Sequence, residues 1–132
     1  MNEFARSTQG DVRRRGDDAE ALVAKIFADA GWEVRTAGAV DSDMLVQNET
    51  TSYAVEVKAA AEGRADRLVP LWAQACLVAM RAAGRSHQPL AVVTAPGVSR
   101  SVAEQVLRFA EEFAPGVAAG VVDFQGVRRF RG

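Results

Sequence analysis

The sequence holds one cysteine, Cys76, and one histidine, His87. A single cysteine excludes an internal disulfide. His87 falls in a polar stretch before Pro89 and is not read as catalytic. Lysine is nearly absent: Lys25 and Lys58 stand against fourteen arginines. No apolar run reaches the roughly 18–20 residues a membrane span needs. The longest candidate lies between Gln74 and Arg81. The opening M-N-E-F-A-R-S lacks the apolar centre of a signal peptide. There is no internal repeat and no low-complexity tract. Together these absences predict a cytoplasmic chain without a membrane partner.

What is present fits one soluble domain: 132 residues, 48% hydrophobic and 25% charged. That length buries a core without disulfides or a structural metal. Net charge is −1 but unevenly spread. Residues 1–16 hold four arginines against Glu3 and Asp11. Residues 17–62 hold ten acids against Lys25, Arg35 and Lys58. Residues 63–110 hold six arginines against Asp66 and Glu104. Such a chain is no general nucleic-acid coat, which needs clustered Lys and Arg throughout, but it leaves room for local basic patches.

Residues 1–16 read as a flexible basic arm, and 17–132 as a single domain. A first helix is expected from Asp17 to Ala30, capped by Asp17 or Asp18 and closed by Gly31. Leu22, Val23, Ile26, Phe27 and Ala30 form its apolar stripe, with Glu20 at the edge. Three strands follow: 32–37, 41–47 and 53–59. Asn48–Ser52 is a polar turn that makes the last two a hairpin. In the third strand Tyr53, Val55, Val57 and Ala59 share one face, and Ala54, Glu56 and Lys58 the other. A second helix is expected over 69–83, with Pro70 in its first turn and Gly84 at its end. Leu90–Thr94 reads as a buried strand. A third helix opens at Ser99 or Ser101 and ends near Phe113. Ala118–Phe124 is a last strand, and Gly126 turns the chain toward its Arg-rich end. The expected fold class is α/β, in the order α-β-β-β-α-β-α-β.

Y-A-V-E-V-K-A-A, residues 53–60, places a carboxylate and an ammonium inside an apolar strand. Asp43 heads the neighbouring strand, with Asp41 as an alternative on the same face. Two carboxylates on adjacent strands, joined by the Val57 carbonyl, supply the oxygen ligands a hard cation takes. Lys58 projects from the same face as Glu56, about 7 Å along at the strand rise. Glu20 is within reach of the same cluster from the first helix. An ammonium so placed orients an attacking water or neutralises charge that develops on a phosphate.

A helical Glu, then D-x-L-V, a hairpin, E-x-K and a helix resemble the PD-(D/E)xK nuclease superfamily. The matching residues are Glu20, Asp43, Glu56 and Lys58. Residues 16–84 resemble most closely the small archaeal Holliday-junction resolvases and the restriction-endonuclease-like families. Ser42 stands where the family name has Pro, and Val78 where some members have Tyr. The resemblance implies a central mixed sheet flanked by helices and a magnesium-dependent endonuclease acting on DNA, with manganese as a substitute. It implies metal binding by Asp43, Glu56 and the Val57 carbonyl, with Glu20 as auxiliary ligand. Lys58 would assist the water, and Gln74 matches a helical Gln found near the site in many members. Arg13, Arg14, Arg15, Arg64 and Arg67, with Arg128, Arg129 and Arg131, are candidate phosphate contacts. Cutting both strands would require a homodimer. The alternative is an inactive nuclease-fold module that binds DNA or a protein partner; a subunit active only within a larger complex is the third reading.

Overall fold

The computed structural model describes residues 3–36 and 42–132, with side chains from residue 14 onward. Asp41 and the side chain of Arg13 therefore lie outside the described residues.

The described residues form three helices and six strands. Helix α1 spans Glu3–Asp29, β1 Glu33–Arg35, β2 Met44–Gln47 and β3 Ser52–Ala59. Helix α2 spans Ala65–Ala83, β4 Gln88–Ala95, α3 Arg100–Phe113, β5 Ala118–Asp123 and β6 Arg128–Arg131. All six strands lie in one sheet in chain order. The first three are antiparallel, β3–β4–β5 are parallel, and β6 returns antiparallel to β5. The sheet is therefore mixed, as expected.

Topology sets the layers. Parallel strands need a crossover, and β3 to β4 and β4 to β5 cross through α2 and α3. Both helices pack on one face, where Leu68, Trp72, Ala75 and Cys76 meet Ala91, Val93, Ala119 and Val121. Trp72 fastens α2 to the sheet by donating its indole N–H to the Ala91 carbonyl at 2.9 Å. Helix α1 covers the other face. Its Ala19, Val23 and Phe27, one turn apart, bury against Met44, Val46, Val55, Val57 and Val92. Strands β4 and β5 are covered on both sides, so they read as continuous apolar runs.

Three boundaries differ from the sequence reading. Helix α1 begins at Glu3 rather than Asp17, so its helical backbone takes in most of the segment expected to be an arm. Apart from Gly10 and Gly16, that stretch contains no strong breaker, and it extends from the packed stripe at Ala19–Phe27. Helix α2 begins at Ala65, because buried Leu68 anchors a turn before Pro70; the proline is the sixth helical residue and not in the first turn. A sixth strand, β6, also forms. Its R-R-F-R reads as a charged tail, yet charge is what exposed edge strands carry. Phe130 lies against Gly120, where a Cβ would come within 2.6 Å of the ring. Among the described residues no helix is long and apolar enough to cross a membrane.

Candidate active site

The site forms where one strand outlasts its neighbour. Strands β2 and β3 are zipped from Gln47–Ser52 to Met44–Val55. Beyond Val55 only β4 accompanies β3, with Glu56 opposite Ala91, Val57 opposite Val92 and Lys58 opposite Val93. The hairpin register sets Asp43, just before β2, opposite Glu56. The Val57 N–H, left without a β2 carbonyl, donates to Asp43 Oδ2 at 2.7 Å. One residue's N–H and C=O point to the same side of a strand, so the Val57 carbonyl opens toward Asp43 too.

Glu56 and Lys58 alternate with Val55 and Val57, whose side chains fill the core under α1. Glu56 is only 7% exposed. Its Oε2 stands 3.6 Å from Lys58 Nζ, and the lysine side chain keeps 37% exposure. The carboxylate is thus enclosed while the ammonium remains reachable.

Glu20, on α1, lies near enough to Asp43 for the two carboxyl groups to act on each other. Partial burial, the contact with Asp43 and the charges of Asp43, Asp17 and Glu56 push the Glu20 carboxyl up to about 7. Glu56 is likewise pushed up to about 7, first by burial and then by Asp43; Lys58 offsets part of the rise. Three acids therefore crowd one partly enclosed spot with one nearby ammonium. Asp17 adds charge from one turn before Glu20. The sequence reading treated Asp17 only as a helix cap, although its i,i+3 spacing to Glu20 gave the signal.

The other expected residues scatter. Gln74 lies on the exposed side of α2, off the stripe Leu68, Trp72, Ala75, Cys76, Ala79. Arg64 is held by two acids, with Nε 3.2 Å from both Glu62 and Asp66. Arg67 lines a cavity of about 340 Å³ with Leu71 and residues 59–62, next to the end of β3. Arg14 and Arg15 line a second groove with Asp18, Pro96 and Phe124. Arg128, Arg129 and Arg131 sit on β6, three strands from β3. His87 contacts the Ser52 hydroxyl through Nδ1, at the start of β3 and away from Glu56.

The oxygen atoms of this donor set are of the type that hard divalent cations take. The set is all oxygen and it concentrates carboxyl groups that raise one another's pKa. Among the described residues no group of three or more His, Cys, Asp or Glu is placed to hold a metal ion. The candidate ligand set is therefore Asp43, Glu56 and the Val57 carbonyl, with Glu20 behind. No family model matches this chain, and comparison with curated proteins finds no match.

Proposed function

We propose that this protein is a metal-dependent endonuclease that hydrolyses DNA phosphodiester bonds, with a restriction-endonuclease-like fold. The observation that carries the reading is the Asp43–Val57 hydrogen bond. It gathers one carboxylate, a second carboxylate, a free carbonyl edge and a lysine at one strand end. Asp43, Glu56 and Val57 would hold magnesium or manganese, which when bound supplies Lewis-acid polarisation of the phosphate. Lys58, positioned by Glu56, lends positive charge to the phosphate as charge builds there. Water oxygen bonds to phosphorus in line, and the bond from phosphorus to the 3′ oxygen breaks. The water gives up a proton, the 3′ oxygen takes one up, and a 5′-phosphate remains. Two-strand cutting would bring two copies together on one DNA.

The test is cleavage of supercoiled plasmid, linear duplex and a four-way junction with magnesium, manganese or EDTA, beside Lys58→Ala. Metal-dependent cutting lost in Lys58→Ala supports the reading. Cutting that survives Lys58→Ala rejects the site. A folded chain that neither cuts nor binds metal is the inert binding module, a reading favoured by the two acids that hold Arg64.

A further inference from the structure

We propose that the groove between α1 and the carboxyl ends of β4 and β5 takes one unpaired nucleotide of the DNA. The inference rests on the nuclease reading and names its substrate class: DNA with a single-stranded segment beside the cut.

The groove has a volume of about 290 Å³ and is lined by Arg14, Arg15, Asp18, Pro96 and Phe124. Pro96 follows the last residue of β4 and Phe124 the last of β5, and these two residues pair, Ala95 with Asp123. Strand β3 runs toward the same end from Glu56 to Ala59. On α1, Arg15 and Arg14 precede Glu20 by five and six residues. The groove's two arginines thus lie about 8–9 Å along α1 from Glu20, the acid that this helix brings to the cluster.

Its chemistry selects a nucleotide over a bare anion. Two guanidinium groups pair with phosphate oxygens. Phe124 is partly exposed and offers a ring for base stacking. Asp18 repels phosphate but accepts a hydrogen bond from an exocyclic base amine, as Asp and Glu do from cytosine. Cationic groups beside an aromatic platform are the combination that binds single strands. A base inside a duplex is already stacked on both faces and has none to offer Phe124.

The walls are held in place before any ligand arrives. Buried Asp123 accepts the Val98 N–H through Oδ2 at 2.6 Å and the Gln125 N–H through Oδ1 at 2.8 Å. One carboxylate therefore pins both the loop carrying Pro96 and the turn carrying Phe124.

The test measures binding by fluorescence anisotropy in a Lys58→Ala background, with blunt duplex, the same duplex bearing a single-stranded tail, and the tail alone. Wild-type cleavage is followed in parallel. Phe124→Leu keeps apolar bulk and removes the ring; it should weaken tailed-DNA binding roughly tenfold and leave blunt duplex unchanged. Phe124→Trp should keep or tighten tail binding only, and it decides the matter if the Leu variant fails to fold. Equal binding of tailed DNA by Phe124→Leu and its parent overturns the proposal, as does an equal effect of either variant on both DNAs. Cutting that needs Lys58 but ignores Phe124 leaves the nuclease reading standing without the groove. Ring-dependent tail binding without cutting does the reverse.

Discussion

Asp43 accepts a hydrogen bond from the main-chain N–H of Val57 at 2.7 Å, so a residue outside the strands is tied to the strand that carries Glu56 and Lys58. Two roles coincide in one carboxylate: it takes a main-chain donor and it adds negative charge to the cluster. Asn and Ala substitutions separate them. Asp43→Asn keeps an oxygen acceptor and removes the charge. It should melt at or above wild type at pH 8, while Asp43→Ala melts below the Asn variant. On the nuclease reading both lose cleavage. Thermal melts with paired cleavage assays check this, and an Asn variant less stable than Ala would contradict it.

The pH dependence of stability has a defined sign. Glu20 and Glu56 titrate at about 7 in the folded chain, against an ordinary value of 4.5. Below 4.5 both folded and unfolded chains carry these protons, so the groups contribute nothing. Between 4.5 and about 7 the folded chain holds protons that the unfolded chain has lost. Unfolding free energy then falls as pH rises through that window and levels above it. In EDTA, the urea midpoint should drop from pH 5 to pH 7.5. Glu56→Gln should flatten the slope. A midpoint that climbs steadily across this range would refute the crowding.

On the nuclease reading, divalent cations should reverse that loss. A ligand that binds only the folded chain raises stability with its concentration. Deprotonated carboxyl groups bind it best, so manganese should raise the urea midpoint more at pH 8 than at pH 5.5. Asp43→Asn should abolish the gain. An equal gain in wild type and Asp43→Asn would place the cation elsewhere.

Gly63 is a packing constraint beside the site. A Cβ there would lie 2.7 Å from the main-chain carbonyl of Gly97 and the nitrogen of Val98. Nearby, the Ala60 N–H donates to the Thr94 carbonyl at 2.8 Å, so the loop after β3 is fastened to the end of β4. Gly63→Ala must push main chain from main chain, and overpacking of this kind costs about 1–3 kcal/mol. Chemical denaturation measures it. On the nuclease reading, DNA affinity should fall as well, because the loop leads to Arg67.

Much of the candidate site's geometry was legible because hairpin register is local information. The polar turn at Asn48–Ser52 and the alternation of Tyr53–Ala59 align Met44 with Val55, and that alignment sets Asp43 opposite Glu56. Glu20 was legible from its place beside the α1 stripe. The bond from Val57 to Asp43 was not, because it depends on β2 starting one residue after Asp43. The Pro96–Phe124 groove was not legible either: its residues are far apart in sequence and meet only through the parallel pairing of β4 with β5. Gln74 shows the opposite case. The resemblance suggested it, while the phase of the buried stripe from Leu68 to Ala79 turns it outward. Strand β6 escaped because an edge strand needs charge outside and only Phe130 within.

The sheet's two margins differ from its centre in a way that bears on assembly. At one side β1 offers three residues, two of them the ion-paired Glu33 and Arg35. At the other, β6 exposes Arg128 and Arg129. Joining two such sheets β6 to β6 would stack like charges, and joining through β1 would engage too little backbone to hold. Edge-to-edge joining of two such sheets is therefore disfavoured at both margins.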